Sequence, residues 1–455
     1  MFKKLLILLI IPLALFVLNG CTPPTKPDTP TNFRIVDGVI FWDLNENANT
    51  YRIELRNIET GAILRRIVET GTDLNTLNIP EGDYMIKLQA LNRGAESDFT
   101  EELPYHQEDL FKVTEISGSM MINGNYVKWM GRTLYNEQKD ENIVFHSAGG
   151  FEVFFKGTTV TAVISATKTE TIGYRPYIVI VIDDNFEEAQ TVCLTQPVNN
   201  LTLAENLENK EHKLTVYKRS ESIDSHIGLK QLATDGKFLA KVEYKERKIE
   251  VIAASSSTGY GNLSTDVKST ANSDALKAYA FLTAQALNAD LSIYSASGWG
   301  LKFSRWTNPV TASMAEAYRK VDFFSNVDWD PKNFVPDVII VNLGTNDWSY
   351  ISYNHTQAEQ KALMEEFKTG YVEFVQYLRK LYPDAYILIL YGLMQESNIY
   401  QATEEIYDAL KTDAKVDILK VLGDGKGSNS HPSVSSHAQI ANAVTAKIRE
   451  MTNWD

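Results

Sequence analysis

The sequence predicts a multidomain protein: two β-sandwich domains, the second a jelly roll, followed by a doubly wound α/β domain on a parallel sheet. Three observations predict it. At 455 residues the chain exceeds one ordinary domain. Up to about residue 240, apolar and polar residues alternate between glycine and Asp/Asn turns, the period-two pattern of half-buried strands. Beyond about residue 246, strands apolar on both faces alternate with helical stretches, which calls for a parallel sheet covered on both sides. An apolar fraction of 44% beside 22% charged residues marks a globular chain rather than a disordered one.

The first element is residues 1–20, MFKKLLILLIIPLALFVLNG, in which Lys3 and Lys4 precede an apolar run and small residues. That is a secretory signal, short for a membrane span. Its end, Leu18-Asn19-Gly20-Cys21, resembles a bacterial lipobox. The resemblance implies cleavage before Cys21, acylation of its thiol, and a membrane-anchored lipoprotein displayed outside the cytoplasm. The alternative is a plain signal peptide with a chance cysteine. Residues 21–30, CTPPTKPDTP, form a Pro/Thr tether with no means of building a core. Losing the signal and its two lysines takes the net charge from −14 to −16, which argues against a nucleic-acid partner. Only Cys193 then remains free, so neither an internal disulfide nor a cysteine-rich zinc site is available.

Residues 31–105 carry short strands: GVIFWDL with Trp42, TYRIELRN with Tyr51 and GDYMIKLQAL with Tyr84. A Trp on an early strand and a Tyr on a late one resemble a fibronectin type III module, which implies a spacer or, alternatively, a sugar binder. Residues 106–240 are strand-rich again, with NIVFHSAGGFEVFFKGTTVTAVISAT, YIVIVIDD and HKLTVYKR, and read as a jelly roll rather than a barrel. Residues 241–455 supply the strands KIEVIAA, LSIYSA, DVIIVNL, AYILIL and VDILKVL. Helical runs lie between them, SDALKAYAFLTAQALNA and TQAEQKALMEEFKTGYVEFVQYLRKL, and a last helix covers about Ser435 to Met451.

In such folds the chemistry sits at the carboxyl ends of the strands. There the chain places Ala253-Ala254-Ser255-Ser256-Ser257-Thr258-Gly259-Tyr260-Gly261, Ser295-Ala296-Ser297-Gly298-Trp299-Gly300, Gly344-Thr345-Asn346-Asp347-Trp348, and Asp424 through His431-Pro432. Hydroxyls, glycine amides, an asparagine amide and an imidazole are the parts of an acyl-transfer site. Each alone reads as a turn or a helix cap. Their order on successive strand ends is what carries the signal.

The C-terminal domain resembles an SGNH/GDSL hydrolase, whose Ser, Gly, Asn and His blocks fall on Ser255, Gly298, Asn346 and His431. IEVIAASSSTGYGN is similar to the first block of carbohydrate esterase family two, IEFIGDSITCGYG, and an ungapped match puts Ser255 on the nucleophile. WMGRTLY, AGGFEVFFKGTTVTAVI, YRPYIVIVIDD and HKLTVYKRSES resemble the jelly-roll half of that family, so the likeness covers roughly residues 110–450. It implies a serine esterase that removes O-acetyl groups from polysaccharides or oligosaccharides. Ser255 and His431 would be catalytic, with Ser255, Gly298 and Asn346 as oxyanion hole and no metal or cofactor.

Two departures stand out. The usual Gly-Asp-Ser is Ala253-Ala254-Ser255 here, and Ser428 stands where many relatives of the fold carry the acid, three residues before the His. Asp424, Asn429 or a loop carbonyl is therefore the candidate orienter of His431, and a Ser-His dyad is the favoured arrangement. Trp348 and Trp299 are candidates to stack on a pyranose ring, and Asp347 reads as a loop brace. The competing readings are a glycan-binding lipoprotein that has lost catalysis, and an esterase or lipase for small acyl esters.

Overall fold

The computed structural model describes residues 25–107, 112–122, 124–307 and 312–455. The signal peptide and Cys21 lie outside the described residues. The chain divides into two compact units, residues 1–112 and 113–455.

The first unit is a β-sandwich. A three-stranded antiparallel sheet runs in the order Arg34–Val36, Val39–Phe41, Thr72–Asp73. The facing sheet centres on Thr50–Asn57 and Gly82–Asn92 and is flanked by Ile63–Val68 and Leu103–Gln107. Alternate residues Tyr51, Ile53, Leu55 and Tyr84, Ile86, Leu88 point into one core, as period two requires, and Trp42 packs on Tyr51 at 4.9 Å. The Tyr84 hydroxyl donates to the carbonyl of Pro80 at 2.9 Å. The boundary expected at 105/106 moves to 112/113, because Leu103–Gln107 pairs with Gly82–Asn92 and belongs to this sandwich.

The second unit joins a sandwich and a parallel sheet. Two antiparallel sheets, each of six strands, face one another over Phe151, Val153, Phe155, Ile164, Ile180, Leu214 and Leu232. The parallel sheet takes its strands in the order Ala289–Ser295, Arg247–Ala253, Val338–Asn342, Tyr386–Tyr391, Val416–Lys420. Ile252, Tyr294, Val341 and Ile389 face helices Gln357–Leu381 and Tyr400–Leu410, while Val251, Ile293, Ile340 and Leu390 face Tyr279–Ala286 and Val434–Thr452. Both faces are covered, so the central strands read as near-continuous apolar runs rather than alternating ones, interrupted by buried Glu250 and Ser292. The long helix starts at a capping box of Thr356 and Glu359. Helix Tyr400–Leu410 was not anticipated from the pattern. The expected helix over 273–289 is a turn, Ala275–Lys277, followed by Tyr279–Ala286, broken where Ala278 is extended.

Sandwich and sheet meet through a dry, apolar contact. Val179 and Val181 of the sandwich belong to the same apolar cluster as Val251 and Ile340. Arg132, 1% exposed, pairs with Glu250, also 1% exposed, at 3.2 Å. Its guanidinium also donates to the carbonyls of Tyr318 and Lys320 and lies 4.2 Å from the ring centroid of Tyr294. A buried charge is tolerated only when paired and hydrogen-bonded to this degree. This pair ties the strand that leads to Ser255 to the sandwich.

Candidate active site

The first parallel strand ends at Ala253 and the chain turns through a 3-10 segment, Ser255–Ser257. The three serines have different fates. Ser256 is buried and its hydroxyl donates to Asn342 Oδ1 at 2.9 Å; Ser257 is buried and shares a 2.7 Å hydrogen bond with the Tyr279 hydroxyl. Ser255 alone is partly open, and its Oγ lies 2.7 Å from His431 Nε2.

His431 is brought there by the loop after the fifth strand. Asn429 and Ser430 are both left-handed, at φ 48° and 61°, and curl the chain so that the Ser428 carbonyl faces the imidazole. That carbonyl accepts His431 Nδ1 at 2.9 Å and the His431 backbone amide at 3.0 Å. A carbonyl can only accept, so Nδ1 carries the proton and Nε2 presents its lone pair to the Ser255 hydroxyl. Burial lowers the affinity of the imidazole for a second proton, an effect the Ser428 carbonyl partly opposes. The Tyr260 ring stacks on His431 with centroids 4.1 Å apart and planes 22° apart.

Neither side chain expected to orient His431 does so. Asp424 accepts from the amide and hydroxyl of Ser433 and from the Lys426 amide, and thereby closes the start of the last helix. The Asn429 side chain donates to the Tyr260 hydroxyl at 2.9 Å, which secures the ring that covers the imidazole. Ser428, in the position of the missing acid, turns its own hydroxyl away to the carbonyls of Ser264 and Asp266. The serine and histidine loops meet backbone to backbone, with Ser428 N donating to Gly261 O at 2.9 Å.

The remaining blocks gather around the same point. Gly298, at φ 81°, follows the second strand. Asn346 opens the short helix Thr345–Ile351 and spends one side-chain hydrogen on the Trp299 carbonyl at 2.9 Å, leaving the other unspent. Asp347 is fully buried and accepts the amides of Leu301, Lys302 and Phe303, so it braces the loop of the Gly block. Trp299, a candidate sugar platform in the sequence, is instead core: it is 6% exposed and packs on Phe323 at 4.7 Å. Trp348 is half-buried against the same core. Trp306, which no motif marks, is 63% exposed, and its Cβ stands 3.0 Å from where a side chain on Gly298 would begin. Among the described residues, no cluster of three or more His, Cys, Asp or Glu is placed to hold a metal ion.

A serine hydroxyl, an imidazole and hydrogen-bond donors thus converge in a form suited to acyl transfer. Comparison with known proteins agrees in both domains. Residues 129–242 match the family model for the carbohydrate esterase 2 N-terminal domain, and residues 254–444 that for GDSL-like lipase/acylhydrolase. The cellulase/esterase CelE of Acetivibrio thermocellus is 29% identical over 324 residues, which is 68% of this chain and 37% of that larger protein. An acetylxylan esterase / glucomannan deacetylase of Cellvibrio japonicus is 24% identical over 339 residues, 72% of this chain and 90% of that protein. Among solved structures, a family two carbohydrate esterase from Clostridium thermocellum in complex with cellohexaose superposes with TM-score 0.64 at 26% identity. It covers 72% of this chain and all 100% of its own. Residues 129–444 thus match a carbohydrate esterase 2 N-terminal domain followed by a GDSL-like domain, and family two carbohydrate esterases are among the solved structures this chain resembles.

Proposed function

We propose that residues 113–455 remove O-acetyl groups from polysaccharides or oligosaccharides, through a Ser255–His431 dyad and an acyl-enzyme. The observation that carries this reading is the hydrogen-bond chain from Ser255 Oγ through both imidazole nitrogens to the Ser428 carbonyl. His431 Nε2 takes the hydroxyl proton as Oγ attacks the acetyl carbonyl. The proton stays on Nδ1, donated to the Ser428 carbonyl throughout, so the tautomer needs no carboxylate. The oxyanion falls to the amides of Ser255 and Gly298 and to the second hydrogen of Asn346; removing one such donor costs about 10² to 10³ in rate. The proton on Nε2 then passes to the sugar oxygen as its bond to the acetyl carbon breaks, releasing the sugar hydroxyl. Water, deprotonated by His431, next releases acetate and restores Ser255.

The substrate class rests on the relatives, named acetylxylan esterase / glucomannan deacetylase, and on the cellohexaose held by the Clostridium thermocellum structure. The test is turnover of 4-nitrophenyl acetate and butyrate beside Ser255→Ala and His431→Ala. Acetate turnover lost in both variants, with little on butyrate, supports the proposal and directs the work to acetylated xylan and mannan. Equal turnover in wild type and variants would leave glycan binding as the reading. Ready turnover of butyrate would favour the general acyl esterase.

The same proposal has the protein held outside the cytoplasm by a lipid on Cys21, supported by the residues before it. Labelled palmitate that is incorporated by the full chain and lost in Cys21→Ala is the result expected. The first sandwich is proposed as a fibronectin type III-like spacer. Its two antiparallel sheets, of three and five strands among the described residues, and the Tyr84 to Pro80 bond support this.

A further inference from the structure

A loop of the β-sandwich domain, residues 219–226, follows the strand Lys210–Lys218 and reaches the catalytic turns. Its Glu221 is 2% exposed. One carboxylate oxygen accepts the Ser297 hydroxyl at 2.7 Å and the other the Ser297 amide at 2.9 Å. Ser297 is the residue before Gly298, so the carboxylate holds the first half of the turn that presents the Gly298 amide. Lys268 pairs with Glu221 at 3.0 Å, and also with Asp224, 2% exposed, from the same sandwich loop. The Lys268 ammonium lies 5.5 Å from the ring centroid of Tyr260, the ring stacked on His431.

The cluster is costly to bury and would not persist without compensation. Two acids and one lysine leave a net negative charge, which the loop meets with further donors. The Lys218 ammonium, fully buried, donates to the carbonyls of Ser220 and Glu221, and Arg219 donates to those of Thr270 and Ala271. What that outlay secures is the geometry of two turns at once. A carboxylate that grips the amide and the hydroxyl of one residue fixes that residue's backbone and side chain together. An oxyanion donor is useful only if held within a fraction of an ångström before the reaction.

We propose that Glu221 is a positioning residue for the esterase reaction: held by Lys268, its carboxylate anchors Ser297 and so fixes the Gly298 amide that receives the oxyanion. The proposal rests on the esterase reading above. Glu221 touches neither substrate nor the reacting atoms and acts through Ser297.

The experiment is a double-mutant cycle of Glu221→Gln and Ser297→Ala in the full chain, read by steady-state turnover of 4-nitrophenyl acetate. Beside it, the rate at which a 4-nitrophenyl phosphonate labels Ser255 reports the oxyanion turn without any sugar recognition. Glu221→Gln should lower kcat by about 10- to 100-fold with KM within about threefold, and slow labelling in parallel. Ser297→Ala alone should cost about fivefold. The double variant should be no worse than Glu221→Gln, because both changes remove one linkage. Multiplying effects would overturn the proposal, as would wild-type kcat and labelling in a folded Glu221→Gln. Should Glu221→Gln not fold, wild-type kcat and labelling in Ser297→Ala would overturn it instead. An inactive, unlabelled wild type would overturn the esterase reading along with it, whereas an active wild type beside an unimpaired Glu221→Gln overturns this inference alone.

Discussion

Replacing Gly261 with alanine should disable the dyad without altering either reacting side chain. Gly261 sits at φ +51°, and a Cβ built there lies 2.2 Å from both the Cβ and the Oγ of Ser428. Carbon atoms rest at about 3.5 to 4.0 Å, so the two loops must part by roughly 1.5 Å. Ser428 carries the carbonyl that holds His431 Nδ1 at 2.9 Å, and a hydrogen bond does not survive a displacement of that size. Misplacement by 1 Å costs on the order of 10² in rate. Loss of the group that fixes the tautomer of a catalytic histidine costs about 10⁴. The expected fall in kcat on 4-nitrophenyl acetate therefore lies between about 10² and 10⁴. Gly425→Ala is the matched control: it has φ +63° in the histidine loop, but its nearest neighbours are 3.7 and 3.9 Å away. It carries only the left-handed penalty, about 1–2 kcal/mol of stability, and should keep kcat within about threefold. Thermal unfolding read beside the kinetics separates loss of fold from loss of geometry. A folded Gly261→Ala enzyme turning over within about threefold of wild type would refute the role given to the Ser428 carbonyl.

Three further outcomes are expected. Only neutral His431 can take the serine proton, and burial lowers its pKa, so the acid limb of kcat/KM should have its midpoint below the ordinary value of about 6.5; a midpoint above 7 contradicts this. Asp424→Asn should leave kcat within about threefold and cost on the order of 1 kcal/mol of stability, since Asp424 serves Ser433 and the last helix; a loss approaching 10⁴ would make it the missing triad acid. Arg132→Met should destabilise residues 113–455 by about 3–5 kcal/mol in chemical denaturation, because it leaves Glu250 buried and unpaired, and adding Glu250→Gln should recover part of that; a double variant as unstable as the sum of the singles would show that the pair is not coupled.

The four strand-end loops are legible in the sequence because a sheet covered on both faces makes its strands mostly apolar and gathers polar clusters at their ends, Glu250 being an exception inside a strand. Three adjacent serines are harder to separate by letter, and the structure separates them by commitment: Ser256 to Asn342, Ser257 to Tyr279, Ser255 to the histidine. The orienter of His431 was among the readings left open, since a backbone carbonyl has no letter of its own. Its placement depends on two left-handed residues, Asn429 and Ser430, that a propensity argument passes over. Trp299 and Trp306 both occupy the same loop region, and which indole is buried is decided by Phe323, a partner distant in sequence. Glu221 lies far from every catalytic block, in a domain whose pattern spoke only of strands. Its contact with Ser297 spans 76 positions, a distance at which periodicity is silent.

The buried Arg132–Glu250 pair has a bearing on how the protein is made. The sandwich leaves the ribosome before the parallel sheet exists, so its Arg132 and Glu221 wait for Glu250 and Ser297, which are synthesised later. The groups that enclose Arg132 all lie beyond residue 249, so the sandwich can close with the guanidinium in water and gives up that water only when Glu250 and the carbonyls of Tyr318 and Lys320 arrive. His431 lies 176 positions after Ser255, so the surroundings of that serine cannot be complete before the last parallel strand and its loop have been made.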